Sequence, residues 1–139
     1  MDNNMKITFD AKSVNEAFAR MVISGFIMEL DPTMEELDDI KTAVSEAVTN
    51  AIIHGEAEEV EMECSYAGRR LTVVVTDKGI GIENLNQAME PFFTTKPEME
   101  RSGMGFAFME AFMDKLEVWS KPDEGTRVTM VKQLGGTNE

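Results

Sequence analysis

The spacing of apolar positions changes period along the chain, and each change marks an element. Met5-Lys6-Ile7-Thr8-Phe9 alternates apolar and polar, the two-residue period of a half-buried strand. Val14, Ala17, Phe18, Met21, Val22, Gly25 and Met28 then recur at helical spacing behind Ser13 and Glu16, a Ser-x-x-Glu capping pair. This helix ends near Leu30, because Pro32 disfavours helical geometry at Asp31. Thr33 and Glu36 form a second capping pair. Behind it Leu37, Ile40, Lys41, Val44, Ala47, Val48 and Ala51 mark the buried face of a longer helix that Gly55 can stop. Residues 60–66 and 71–76 read as a β-hairpin turning through Ala67-Gly68-Arg69.

After Thr76 the pattern breaks into Asp77-Lys78-Gly79-Ile80-Gly81. Residues 84–89 suit a short helix, and the stretch from Pro91 to Gly105 has little periodicity, as expected of a long functional loop. Helical character resumes over 106–113. Strands follow over 116–120 and 127–131, around the turn Lys121-Pro122-Asp123-Glu124-Gly125. The order β-α-α-β-β-loop-α-β-β predicts an α+β two-layer sandwich. Its sheet is mixed, mostly antiparallel and covered on one face by helices. Residues 1–139 form one domain, with a mobile lid over about 91–102 and a frayed tail over 135–139.

Charge narrows the partners. A formal net charge of −13 over 139 residues argues against direct nucleic-acid binding, which needs basic surface. An acidic surface suits basic partners and repels a free nucleotide at long range, so a nucleotide site has to supply local donors and a metal. The single cysteine, Cys64, excludes an intrachain disulfide and reads as a buried, inert thiol. No apolar run approaches the ~18 residues of a membrane span, and the amino terminus lacks a signal-peptide layout; the expected location is cytoplasmic. Met21, Met28, Met104, Met109 and Met113 read as core filler.

Each segment with candidate chemistry is weak alone. Glu46, Asn50 and His54 share one face of the second helix, where a carboxylate and an amide oxygen can hold a hard cation such as Mg²⁺; a solvated polar stripe fits equally well. Asp77 can accept from an exocyclic amine such as that of adenine, with Gly79 and Gly81 letting the backbone run close beneath a flat base. A plain Asp-Gly turn would look the same. Arg101-Ser102-Gly103-Met104-Gly105-Phe106 joins the long loop to a helix start, where free amides and a cation suit phosphate, or a hinge. Thr126 offers a hydroxyl at the head of the last strand.

Taken in this order, the three segments resemble the N, G1 and G2 boxes of the Bergerat-type ATPase superfamily. Leu30 to Leu37, Val44 to Gly55 and Pro91 to Phe106 resemble, more narrowly, the anti-sigma-F family of sporulation serine kinases. That resemblance implies a homodimeric kinase that binds and inhibits the sigma-F factor and phosphorylates a serine of the anti-anti-sigma protein. By position it implies Glu46 as general base, Asn50 as the Mg²⁺ ligand, and Asp77, Gly79, Gly81 and Thr126 around adenine. It further implies Thr49, Thr94, Thr95, Lys96, Arg101, Ser102, Gly103, Met104, Gly105 and Phe106 about the rest of ATP. Glu16 and Arg20, on the first helix, fall at partner-contacting positions. The chain departs from the family pattern at Lys78, where an acidic residue is common, and over 56–63, which is shorter and more acidic. Two other readings stay open: an ATP-gated sigma-binding module without kinase activity, and a histidine-kinase-type catalytic domain.

Overall fold

The computed structural model describes residues 2–82 and 105–135. In chain order these form β1 (Asp2–Asp10), α1 (Val14–Phe26), a 3-10 turn (Met28–Leu30), α2 (Met34–His54), β2 (Glu59–Ala67), β3 (Arg70–Asp77), α3 (Gly105–Phe112), β4 (Lys115–Lys121) and β5 (Gly125–Gln133). The five strands lie in the order β1-β2-β3-β5-β4. Every pairing is antiparallel. Strands β3 and β4 do point the same way, but the β4–β5 hairpin folds β5 into the slot between them. No parallel ladder therefore forms among the described strands, and the mixed sheet expected from the sequence becomes an antiparallel one within the same two-layer sandwich.

The core lies between one sheet face and the helices. Val60, Met62, Cys64 and Tyr66 of β2 point inward with Leu71, Val73 and Val75 of β3 and Val128 and Met130 of β5. They meet Ala19 and Ile23 of α1 and Ile40, Ala43, Val44, Ala47, Val48 and Ala51 of α2. Each large aliphatic buried this way contributes about 1.5–3 kcal/mol. Cys64 is fully enclosed, and burial, helped by the neighbouring Glu63 carboxylate, pushes its thiol up to about 12. The inert thiol expected from the sequence is what forms.

The first helix is turned differently from its apolar pattern. Ala19 and Ile23 are buried, whereas Val14, Phe18 and Met21 are 72%, 48% and 73% exposed, and Met28 beyond the helix is 65% exposed. α1 is apolar on more than one face, so periodicity could not choose which face α2 would take. Met109 and Met113 do fill the core as expected. The outward stripe runs beside the edge strand β1, with the Phe18 ring edge-on to Phe9 at 6.4 Å.

The two capping pairs also part company. Thr33 sits in extended geometry, accepts from the Glu36 N–H at 3.1 Å, and its own N–H donates to Glu36 Oε1 at 2.9 Å, a complete capping box. Ser13 has helical backbone angles and no side-chain cap. The Glu16 carboxylate that would have closed that box is taken by Ser45 of α2, whose hydroxyl donates to it at 2.7 Å.

Glu36 has a further use: its Oε2 accepts from the Gly135 N–H at 2.7 Å. Burial pushes its carboxyl up, but the amides of Gly135 and Thr33 outweigh this and hold it below its ordinary value. Arg69 donates to the carbonyls of Leu30 and Gly135, each at 2.7 Å. Gly135, grouped with the tail in the sequence reading, is therefore tied to the domain; residues 136–139, the expected helix over 84–89 and the expected lid over 91–102 lie outside the described residues.

Thr33→Ala should cost about 1 kcal/mol, lowering Tm by roughly 3–5 °C, whereas Ser13→Ala should stay within about 0.5 kcal/mol of the parent. Urea and thermal denaturation followed by circular dichroism compare the two; equal losses would contradict the difference in capping.

Candidate functional site

Helix α2 carries its chemistry along the border of the core. Ala47, Val48 and Ala51 are buried, while Glu46, Thr49 and Asn50 beside them are half-buried, so their polar groups meet neither bulk solvent nor a closed interior. Gly105, the first residue of α3, is laid against this border. A Cβ there would sit 3.0 Å from Asn50 Nδ2, 3.2 Å from Asn50 Oδ1 and 3.4 Å from Glu46 Oε1. The opening amides of α3, which have no partner within the helix, are thus delivered to a carboxylate and a carboxamide from α2. The Phe106 side chain packs against the hydrophobic core, so its backbone amide is what it can offer here.

A second cluster forms where α2 ends on β3. Asp77 is 5% exposed, and its Oδ1 accepts from the Gly79 N–H at 3.0 Å. A Cβ on Gly79 would fall 1.6 Å from the Gly55 carbonyl oxygen, which also accepts from the Ile80 N–H at 2.8 Å. Gly81 has φ +74° and passes so close to β4 that a Cβ would lie 2.1 Å from the Lys121 carbonyl oxygen. The glycines read in the sequence as clearance for a flat ligand are required first by the protein's own backbone. Burial pushes the Asp77 carboxyl above its ordinary range, and the Gly79 amide offsets this only in part. Directly across the ladder from Asp77 stands Thr126, also buried. Ser120, opposite Thr126 in the next ladder, lies 2.8 Å from its hydroxyl. No sequence signal marks Ser120, because only the register of β4 on β5 brings it to the site.

A third feature joins α1 to the first cluster. A cavity of about 670 Å³ is lined by Arg20, Lys41, Thr42, Ser45, Glu46 and Phe108, among others. The Arg20 guanidinium pairs with Glu16 at 2.5 Å, and Ser45 holds the same carboxylate oxygen. Arg20 of α1 and Glu46, proposed as a base on α2, therefore face one space, and Glu16 is tied to its lining through Arg20 and Ser45. Ser45, missed by sequence reasoning, is the link.

Thr94, Thr95, Lys96, Arg101, Ser102, Gly103 and Met104 lie outside the described residues. Among the described residues no cluster of three or more His, Cys, Asp or Glu could hold a metal ion. A Mg²⁺ site needs none, since that ion takes one or two protein oxygens and completes its shell with water and phosphate. The Asn50 carboxamide beside Glu46 suits that hard-oxygen chemistry. No helix among the described residues is long and apolar enough to cross a membrane.

Comparison with known proteins bears on the family and the fold. The model of the histidine kinase-like ATPase domain matches residues 8–132. An anti-sigma F factor of Clostridium perfringens is 59% identical over 138 residues, covering 96% of this chain and 99% of that protein. One from Clostridium kluyveri is 58% identical over 134 residues, covering 94% of each chain. In fold, the chain is similar to the structure of the RsbU and RsbW domains of a Mycobacterium tuberculosis protein. The TM-score is 0.71 at 22% identity, over 95% of this chain and 32% of that one.

The upward shift of Asp77 has a sign that can be checked. A carboxyl raised in the folded state binds its proton more tightly there than in the unfolded chain, so it lowers stability as pH rises above its unfolded value. Asp77→Asn keeps an oxygen for the Gly79 N–H and removes the buried charge. Its Tm without ligand should equal or exceed the parent's at pH 7, with the difference closing toward pH 3.5; a clear loss at pH 7 would contradict the assignment.

Proposed function

Since this chain belongs to the histidine kinase-like ATPase family, and within it to the anti-sigma F factors, we propose that it binds ATP across both clusters and transfers the γ-phosphate to a serine of an anti-anti-sigma protein. The observation that carries this reading is the approach of Gly105 to Glu46 and Asn50. It gathers a base, an amide oxygen and a helix amino terminus at one point, the parts phosphoryl transfer requires.

Asp77 and Thr126 take the base end of the nucleotide, and the amides at Gly105 and Phe106 take its phosphates. Asn50 would hold Mg²⁺ together with phosphate oxygens and water, and that ion would offset charge on the phosphates. Glu46 accepts the proton of the substrate serine as its Oγ bonds to the γ-phosphorus and the bond to the β-bridging oxygen breaks, leaving ADP. Thr49, Thr94, Thr95, Lys96, Arg101, Ser102, Gly103 and Met104 are assigned to the remainder of the nucleotide on the resemblance of their segments. The cavity shared by Arg20 and Glu46 gives a protein substrate a place beside the base.

Sigma-F is the second partner in this reading, supported by the names of the relatives and by a net charge of −13 that suits a basic, DNA-binding protein. Homodimerisation is supported by the edge position of β1 and the exposed Val14, Phe18 and Met21 beside it. In sedimentation at micromolar concentration the parent should run as a dimer and Phe18→Glu/Met21→Glu as a monomer; a dimer in both would place the interface elsewhere.

Glu46→Gln tests the mechanism. With γ-labelled ATP and the anti-anti-sigma protein, transfer should fall at least about 100-fold while ATP affinity stays within about threefold. Unchanged transfer would remove Glu46 from the role of base. A parent that binds sigma-F only with ATP, yet labels nothing, would establish the ATP-gated binding module instead.

A further inference from the structure

Ser120 makes three polar contacts, and counting protons among them settles the direction of each. The Ile82 N–H donates to Ser120 Oγ at 2.7 Å; Oγ lies 3.0 Å from the Gly125 carbonyl oxygen and 2.8 Å from Thr126 Oγ1. A hydroxyl has one proton and two lone pairs. Ile82 can only donate and the Gly125 carbonyl can only accept, so the serine proton goes to Gly125. The third bond is then made only if Thr126 donates. Ser120 is saturated, and the Thr126 proton is turned away from Asp77 toward β4.

This fixes the polarity beside Asp77. Thr126 presents lone pairs, and its cross-strand neighbour Asp77 has one oxygen held by Gly79 and another, Oδ2, with no hydrogen bond among the described residues. Two acceptors side by side recruit a group bearing N–H and repel a carbonyl. We propose that Ser120 is a specificity-determining positioning residue: by locking the Thr126 hydroxyl as an acceptor, it selects a 6-aminopurine nucleotide over a 6-oxopurine one. The same serine ties Ile82, just past the Asp77–Gly81 turn, to the hairpin that carries Thr126. The inference rests on the nucleotide reading of this site.

The test measures direct binding of ATP and of inosine triphosphate, which carries a carbonyl where ATP carries the amine, to the full chain with Mg²⁺ by equilibrium dialysis. The parent should prefer ATP by at least about 50-fold, since rejecting a partner that leaves buried polar groups unpaired is costly. Ser120→Ala frees the Thr126 hydroxyl to rotate and should cut that preference at least about fivefold, while Ser120→Thr retains it. In a Thr126→Val background Ser120→Ala should change the preference no further, because the serine acts through that hydroxyl. A preference unchanged in Ser120→Ala, or still changed by it when Thr126 is valine, overturns the inference while leaving the site itself intact. A parent indifferent to the two nucleotides, with Asp77→Asn equally indifferent, overturns the nucleotide reading and the inference together.

Discussion

The carbonyl of Gly55 and the backbone of Gly79 are so close that no side chain fits between them, and the rest of the site depends on that contact. It seats the carboxyl end of α2 on the turn that follows β3. The Ile80 N–H closes the seat, and Asp77 is folded in beside it. With one end pinned, α2 acts as a ruler: nine residues from Glu46 to Gly55 span about 14 Å along the helix axis. The same helix buries Val44, Ala47, Val48 and Ala51 against the sheet, so the geometry of the two clusters is held by the core itself.

Electrostatics divides the two ends. At the turn, Asp77 is held in a buried place that disfavours its charge, at a cost in stability. At the other end, Glu46 and Asn50 remain half-buried at the start of α3, where helix amides offer partial positive charge. On a chain of net charge −13, the proposed phosphate site gains nothing from long-range attraction and would depend on short-range donors.

Ser45 on helix α2 and Ser120 on strand β4 have parallel tasks. Ser45 joins α2 to the Glu16–Arg20 pair of α1, so the helix bearing the proposed base is coupled to the helix bearing the proposed partner contacts. Ser120 joins β4 to Thr126 and to the backbone at Ile82, so the edge hairpin is tied to the turn that follows Asp77. Both are short hydroxyls with every geometry set by packing around them, which is why neither announces itself by type or spacing.

Local features were legible in the chain. The period-two strands, the Thr33–Glu36 box and the inert Cys64 follow from side-chain spacing and backbone preference, which are properties of a few consecutive residues. The sandwich followed too, because element order constrains layers. Other features needed the fold. α1 is apolar on two faces, so only the surface of α2 decided that Ala19 and Ile23 go in while Phe18 and Met21 stay out. Ser13 takes helical backbone angles and makes no cap, while the Glu16 carboxylate goes to a tertiary partner, Ser45. The strand order, the joining of Gly105 to Asn50 across 55 positions, and the Ser120–Thr126 pair arise from sheet register and helix seating. These are contacts between residues distant in the chain, and sequence spacing carries no record of which distant surfaces will meet.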